Sequence, residues 1–109
     1  MTHDLILAER IRAELGGQAG LTEKKMFGGV GYMLHGNLAC GVYRDQMIVR
    51  VGPQAYPAAL AQPHTHPLDI TGRAMTGWIM VSPEGCADEG AFQRWVAQGL
   101  AFAASLPPK

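Results

Sequence analysis

Apolar residues recur at helical spacing near the start of the chain. Leu7, Ile11 and Leu15 lie four positions apart, and charged residues occupy many of the positions between them. Residues four apart share one face of a helix, so this spacing predicts an amphipathic helix over 4–15. The glycines at 16–17 end it, because glycine readily adopts the backbone that follows a helix.

The pattern then changes to the period of two that is typical of strands. The glycine-rich stretch 24–34 predicts one strand, and residues 38–43 and 46–51 predict two more. Short turn sequences at 35–37 and 44–45 separate them. These three strands are therefore expected to form an antiparallel meander.

The second half of the chain predicts two further strands and two helices. Residues 54–61 look helical, and because Pro57 would clash inside a long helix, the helix is either short or begins near Pro57. Extended segments cover 68–70 and 77–82. The connections are a loop at 63–67 and a turn at 82–85. A final helix follows Asp88, whose carboxylate can cap it. Its apolar side consists of Phe92, Trp95, Val96, Leu100 and Ala103.

The order of elements predicts the fold class. It reads α-β-β-β-α-β-β-α, which suits an α+β two-layer sandwich with an antiparallel sheet of about five strands and helices on one face. A parallel doubly wound fold needs strands and helices that alternate throughout, and the meander does not fit that requirement. We expect residues 1–109 to form a single domain.

Composition narrows the functional classes. The chain has 109 residues, of which 48% are hydrophobic and 17% charged, so it is expected to fold. Nine Lys and Arg balance nine Asp and Glu, which argues against a nucleic-acid-binding module. The apolar runs are too short for a membrane span. The N-terminus has no signal-peptide pattern, so we expect a cytoplasmic protein.

Two motifs suggest ligand chemistry, and each has a simpler explanation. Gly28-Gly29-Val30-Gly31 is rich in glycine like a phosphate-binding loop, but it lacks the spacing of such loops, and structural glycines are favoured. His64 and His66 could bind a metal only with a third ligand from His35, Asp69 or a cysteine. Solvated loop histidines are favoured, and we expect no metal or other cofactor.

Catalytic residues are not apparent in the sequence. Cys40 alternates with Leu38 and Val42 on one predicted strand face, so it is expected to be a reduced core residue. Cys86 follows a turn and has no assigned role. No nucleophile elbow and no acid–base pair emerges, so we expect no catalytic residue and no enzymatic activity.

Several basic and aromatic residues are candidates for binding a partner. Lys24, Lys25, Arg50 and Arg73 would form a basic patch if their strands were neighbours, although a solvated rim is favoured. Trp78 follows a glycine at a strand start and is either a core residue or an exposed anchor.

Three stretches together resemble a known family. They are Glu23-Lys24-Lys25-Met26-Phe27-Gly28-Gly29, Arg50-Val51-Gly52-Pro53, and residues 69–81, which begin Asp-Ile-Thr-Gly-Arg. In this order they resemble the TfoX N-terminal-domain family, named for a bacterial competence regulator also called Sxy. The resemblance covers nearly the whole chain and extends to the N-terminal domain only. It implies a compact α+β domain with an antiparallel sheet, and it transfers no catalytic residue.

Three hypotheses about function follow. The first is a small non-enzymatic protein-interaction or regulatory module with an unidentified protein partner. Its candidate binding residues are Lys24, Lys25, Phe27, Arg50, Arg73 and Trp78. The stretch from Lys24 to Gly29 either forms a partner surface or only builds the sheet, and Gly72-Arg73 is either a simple turn or an anion clamp.

The second hypothesis is a nucleic-acid-associated accessory protein in transcription regulation. The third is a metal-binding protein or enzyme that uses His64 and His66. A sheet covered on one face leaves an edge or a face for self-pairing, so a homodimer is also an expectation.

Overall fold

A computed structural model of the chain describes residues 4–26, 28–69, 72 and 75–109. The helices are α1 (Leu5–Glu14), α2 (Tyr56–Leu60), α3 (Pro83–Ala87) and α4 (Glu89–Ala104). The strands are β1 (Leu21–Met26), β2 (Gly29–Leu34), β3 (Asn37–Tyr43), β4 (Gln46–Arg50), β5 (Thr65–Pro67) and β6 (Trp78–Val81). The strands form one antiparallel sheet in the order β1-β2-β3-β4-β6-β5, which confirms the predicted α+β class.

The first predicted strand is two strands in the structure. Met26 pairs with Gly29, so the chain reverses between them and β1 lies antiparallel to β2. Gly28, in this turn, has a φ of 76°, a backbone conformation that glycine adopts without steric cost. Among the described residues the meander therefore has four strands and the sheet has six, close to the predicted number of about five.

A bulge between β2 and β3 changes which side chains share a face. Tyr32 pairs with Cys40 and Met33 pairs with Leu38, which leaves Ala39 as an extra residue. Ala39 and Cys40 are both buried on the side of the helices. Leu38 therefore lies on the opposite face, and the expectation that it shares a face with Cys40 is wrong.

Two other local expectations also differ from the structure. Residues 65–67 form β5 within the predicted loop, whereas Leu68 and Asp69 of the predicted strand 68–70 lie outside any strand. The predicted turn at 82–85 contains the start of α3, with a proline in its first turn where the missing amide costs nothing. The helix near Pro57 and the Asp88 cap of α4 are confirmed, the latter by a 2.8 Å bond from the Ala91 amide.

The main hydrophobic core lies between the helices and one face of the sheet. All four helices contribute buried residues to it, among them Ile11, Ala59, Cys86 and Phe92. Tyr32 is buried there and donates a 3.0 Å hydrogen bond to the Ala8 carbonyl, which ties β2 to α1. The described helices thus cover one face, as predicted, and the opposite face is called the open face below.

Candidate interaction surface

The open face is partly covered by a loop. Along β6, Ile79 and Val81 belong to the main core, so the alternation of the strand places Trp78 and Met80 on the open face. Met80 packs with Ile48 of β4 and with Leu68, which comes from the segment after β5. Tyr43 of β3 and Trp78 also pack against this small cluster, so among described residues it covers the open face over β4, β6 and one end of β3.

Over β2 and β3 the open face carries few large side chains. Gly31 lies directly opposite Gly41, so no side chain rises from this pair. Beside them, Met33 lies opposite Leu38, and both side chains are only half-buried. The result is an apolar strip next to a recessed pair of glycines.

Arg50 contacts two aromatic rings at the end of β4. Its guanidinium carbon lies 4.7 Å from the centre of the Trp78 ring and 5.3 Å from that of Phe102. Trp78 is its partner in the β4–β6 register, and Phe102 comes from α4. Both contacts have the geometry of cation–π interactions.

The backbone near Arg50 and Trp78 explains how Phe102 reaches them. A side chain at Gly52 would clash with the Phe102 ring, so the ring needs a glycine there. Gly52 and Val51 both donate from their amides to the Gly77 carbonyl, at 3.0 and 2.8 Å. These bonds join the end of β4 to the start of β6 and set the position of Trp78.

The polar edge of Arg50 lacks a carboxylate partner in the described part of the chain. Arg10 pairs with Glu89, and Arg12 pairs with Glu9 and Glu23, but no described carboxylate lies within 4.0 Å of Arg50. The two aromatic contacts restrict the guanidinium without using its N–H groups as hydrogen-bond donors, so these groups remain for an acceptor. Such an arginine is prepared to bind a planar anion through two parallel hydrogen bonds.

The other basic candidates do not gather around Arg50. Lys24 and Lys25 are exposed and adjacent in β1, so their side chains leave opposite faces of the sheet. β1 is three strands away from β4, a separation of about 14 Å at the usual strand spacing. Phe27 and Arg73 lie outside the described residues. Among described residues, the structure therefore brings together Arg50 and Trp78 but not the lysines.

The histidine candidates lie at the far edge of the sheet. His64 is exposed with a φ of 66°, and its carbonyl accepts from the Ser82 amide at 2.9 Å. His66 lies in β5, the edge strand. No cluster of three His, Cys, Asp or Glu residues that could hold a metal occurs in the ranges the structure covers.

Both cysteines are buried, free thiols. Burial raises the pKa of Cys40 to about 12 and that of Cys86 to about 11, although Arg10 opposes the shift at Cys86. At neutral pH both groups are therefore protonated and poorly nucleophilic. The described helices include none with the length and apolar character that a bilayer crossing requires.

Three residues of the surface were not candidates in the sequence. Met33 and Leu38 resemble ordinary strand residues, and the bulge that turns Leu38 outward has no clear local signal. Phe102 lies in the last helix, and only the tertiary fold brings it to Arg50.

Comparison with protein families agrees with the fold. The family model described as the TfoX N-terminal domain matches residues 13–103. No significant match was found among curated proteins or among solved structures. The matched range includes every strand and most of the helical layer, together with Arg50, Trp78 and Phe102. The chain belongs to the TfoX N-terminal domain family.

Proposed function

We propose that this protein is a small, non-enzymatic regulatory module that binds a protein partner through its open face. The observation that carries the proposal is Arg50, which is half-buried and in cation–π contact with both Trp78 and Phe102. A fixed arginine beside a tryptophan is the kind of pair that dominates binding energy at protein interfaces.

The surroundings of Arg50 support the same function. Met33 and Leu38 are half-exposed on the open face, next to the recess at Gly31 and Gly41. Methionine, aromatic residues and arginine are enriched in interfaces, while lysine and glutamate are depleted from their centres. A flat apolar strip with one stacked arginine thus has the composition of an interface centre.

The absence of enzymatic activity is part of the proposal. The TfoX N-terminal domain family is not a known enzyme family. The two thiols of the described chain have raised pKa values, and this argues against their use as nucleophiles.

A protein partner is favoured over nucleic acid. The net charge is zero, and Lys24 and Lys25 leave opposite faces of the sheet. Binding to a nucleic acid draws its strength from several neutralised phosphates, which requires several cations on one surface. In the described part of the chain, the cations on the sheet strands of the open face are Arg50, beside an apolar strip, and Lys24, three strands away.

Affinity capture from native lysate, followed by quantitative mass spectrometry, tests this function. The parent protein is compared with Met33→Ser/Leu38→Ser, which makes the open face polar. A matched control, Leu5→Ser/Ile6→Ser, makes the same change at residues of α1 that are 70% and 74% exposed. We expect a specific protein that the parent and the control recover and the open-face variant does not.

Two results would contradict the proposal. One is the recovery of no specific protein above background. The other is a partner whose recovery depends on Leu5 and Ile6 but not on Met33 and Leu38. Thermal melting of each variant must show that it is folded at the temperature of capture.

A further inference from the structure

We propose that Arg50 is the receptor for a carboxylate of the partner, supplied by an Asp or Glu side chain that has apolar neighbours. The inference rests on the proposed function, because it names the chemistry that the open face recognises.

The geometry of Arg50 selects a small planar anion. Trp78 and Phe102 contact its guanidinium at 4.7 and 5.3 Å, and no described carboxylate pairs with it, so its N–H groups are left for a ligand. A carboxylate matches that edge with two parallel bonds. The stacking also removes much of the side-chain freedom that a mobile arginine would lose on binding.

The setting of Arg50 makes the pairing strong. The side chain is half-buried, and partner residues that cover Met33 and Leu38 would exclude more water from it. Removal of water strengthens the attraction between opposite charges. It also makes an unpaired Arg50 costly, so a segment without an acid would bind poorly.

The apolar strip defines the residues beside that acid. Met33, Leu38 and Trp78 lie on the same face as Arg50, across β2, β3 and β6. A bound segment would place apolar side chains on this strip while its acid reaches Arg50. A polyphosphate backbone offers no apolar groups to bury on this strip, although Lys24, which lies opposite Gly31, shares the open face three strands away.

Selection of short random peptides with blocked ends tests the inference without knowledge of the natural partner. Peptides that bind the parent are resynthesised with their acidic residue changed to the corresponding amide. We expect the selected sequences to share an Asp or Glu with apolar neighbours. The amide form should bind the parent about tenfold more weakly, as expected for loss of a charged hydrogen-bonded pair.

Variants of the protein complete a double-mutant cycle. Arg50→Gln should lower the affinity for the acidic peptide about tenfold, and this variant should bind the acidic and amide forms equally well. Arg50→Lys should restore only part of the affinity, because lysine keeps the charge without the planar fork. Arg94→Gln removes an exposed arginine of α4 and should bind like the parent. Two-dimensional NMR spectra verify that every variant is folded.

The outcomes separate this inference from the proposed function. If peptides bind Arg50→Gln as well as the parent but lose affinity for Met33→Ser/Leu38→Ser, the carboxylate inference is wrong and the interaction surface stands. If no peptide distinguishes the parent from either variant, both are wrong. Arg50-dependent and salt-sensitive binding of a short DNA duplex or single strand would replace the carboxylate with a phosphate and overturn the inference.

Discussion

At the scale of single residues, the glycines around the first hairpin have two different physical roles. Gly28 has a positive φ, but a Cβ added there would meet no atom of another described residue within 4 Å, its chain neighbours aside. Gly29 has an ordinary φ, but its added side chain would clash with the Val42 carbonyl of β3. Glycine is favoured at position 28 by the backbone conformation and at position 29 by the lack of space for a side chain.

This difference predicts that substitution of Gly29 destabilises the protein more than substitution of Gly28 does. We expect Gly29→Ala to lower the free energy of unfolding by about 1–3 kcal/mol, because β2 and β3 must separate to admit the methyl group. Gly28→Asn should cost less, since asparagine tolerates a left-handed backbone. Urea unfolding of both variants measures the two effects. Equal stability of Gly29→Ala and the parent would show that packing does not require this glycine.

Buried titratable groups predict a loss of stability at high pH. Burial raises the pKa of Tyr32 to about 12, as it raises those of Cys40 and Cys86. These groups are neutral when protonated, so the unfolded chain releases their protons at lower pH than the folded protein does. The contribution of these three groups to the free energy of unfolding should therefore be constant below about pH 8 and decrease from about pH 9 upward.

Denaturant titrations across this pH range check the expectation. The double variant Cys40→Ala/Cys86→Ala removes two of the three groups and should show a shallower decline than the parent. If the free energy of unfolding declines with the same slope in both proteins, groups other than the two cysteines cause the decline.

At the scale of elements, the contact of α4 with the bulge of β3 sets how closely the helical layer approaches the sheet. A side chain at Gly99 of α4 would clash with the Ala39 carbonyl and would lie 3.1 Å from its carbon. Ala39 is the extra residue of the bulge. The glycine at position 99 therefore allows α4 to pack directly against the bulge at Ala39.

Alanine substitutions at the two glycines of α4 test this fit. In an isolated helix Gly→Ala stabilises by about 1 kcal/mol, but Gly99→Ala should destabilise by about 1–3 kcal/mol because the helix must move away from β3. Gly90→Ala, near the exposed start of the same helix, should be neutral or stabilise by up to about 1 kcal/mol. Melting temperatures that rise for both variants would contradict the close packing at Gly99.

At the scale of the whole molecule, the sheet has two edges of unequal length. β5 has three residues, the last of which is proline, whereas β1 has six residues and carries Lys24 and Lys25. Charged residues on an edge strand oppose the addition of another strand. The homodimer expected from the sequence stays a prediction, and β1 is the edge best suited to it.

We expect self-association through β1 to be limited by lysine repulsion. Lys24→Thr/Lys25→Thr should strengthen dimerisation about fivefold, because like charges near each other across strands disfavour pairing. Light scattering over a range of concentrations measures this against the parent mass of 11.7 kDa. A mass that stays monomeric at all concentrations for both proteins would reject pairing at this edge. The double variant should melt within a few degrees of the parent, since both lysines are exposed.

The amino-acid sequence by itself determined most of the helices and strands. Local periodicity was sufficient for α1, α4 and the β3–β4 hairpin, because each depends on residues close in the chain. The Asp88 cap and the turns at 35–36 and 44–45 likewise follow from local chemistry, although Asn37 of the predicted turn 35–37 begins β3. The break of residues 24–34 into two strands was missed, because glycines allow both an extended strand and a tight turn.

Only the tertiary structure decided the candidate surface. Arg50 and Trp78 were candidates in the sequence, but their pairing depends on the β4–β6 register, and Phe102 joins them from the last helix. The bulge at Ala39 turns Leu38 to the open face beside Met33. These contacts join residues that are distant in the chain, and their geometry arises from how helices and sheet pack together, which local periodicity does not encode.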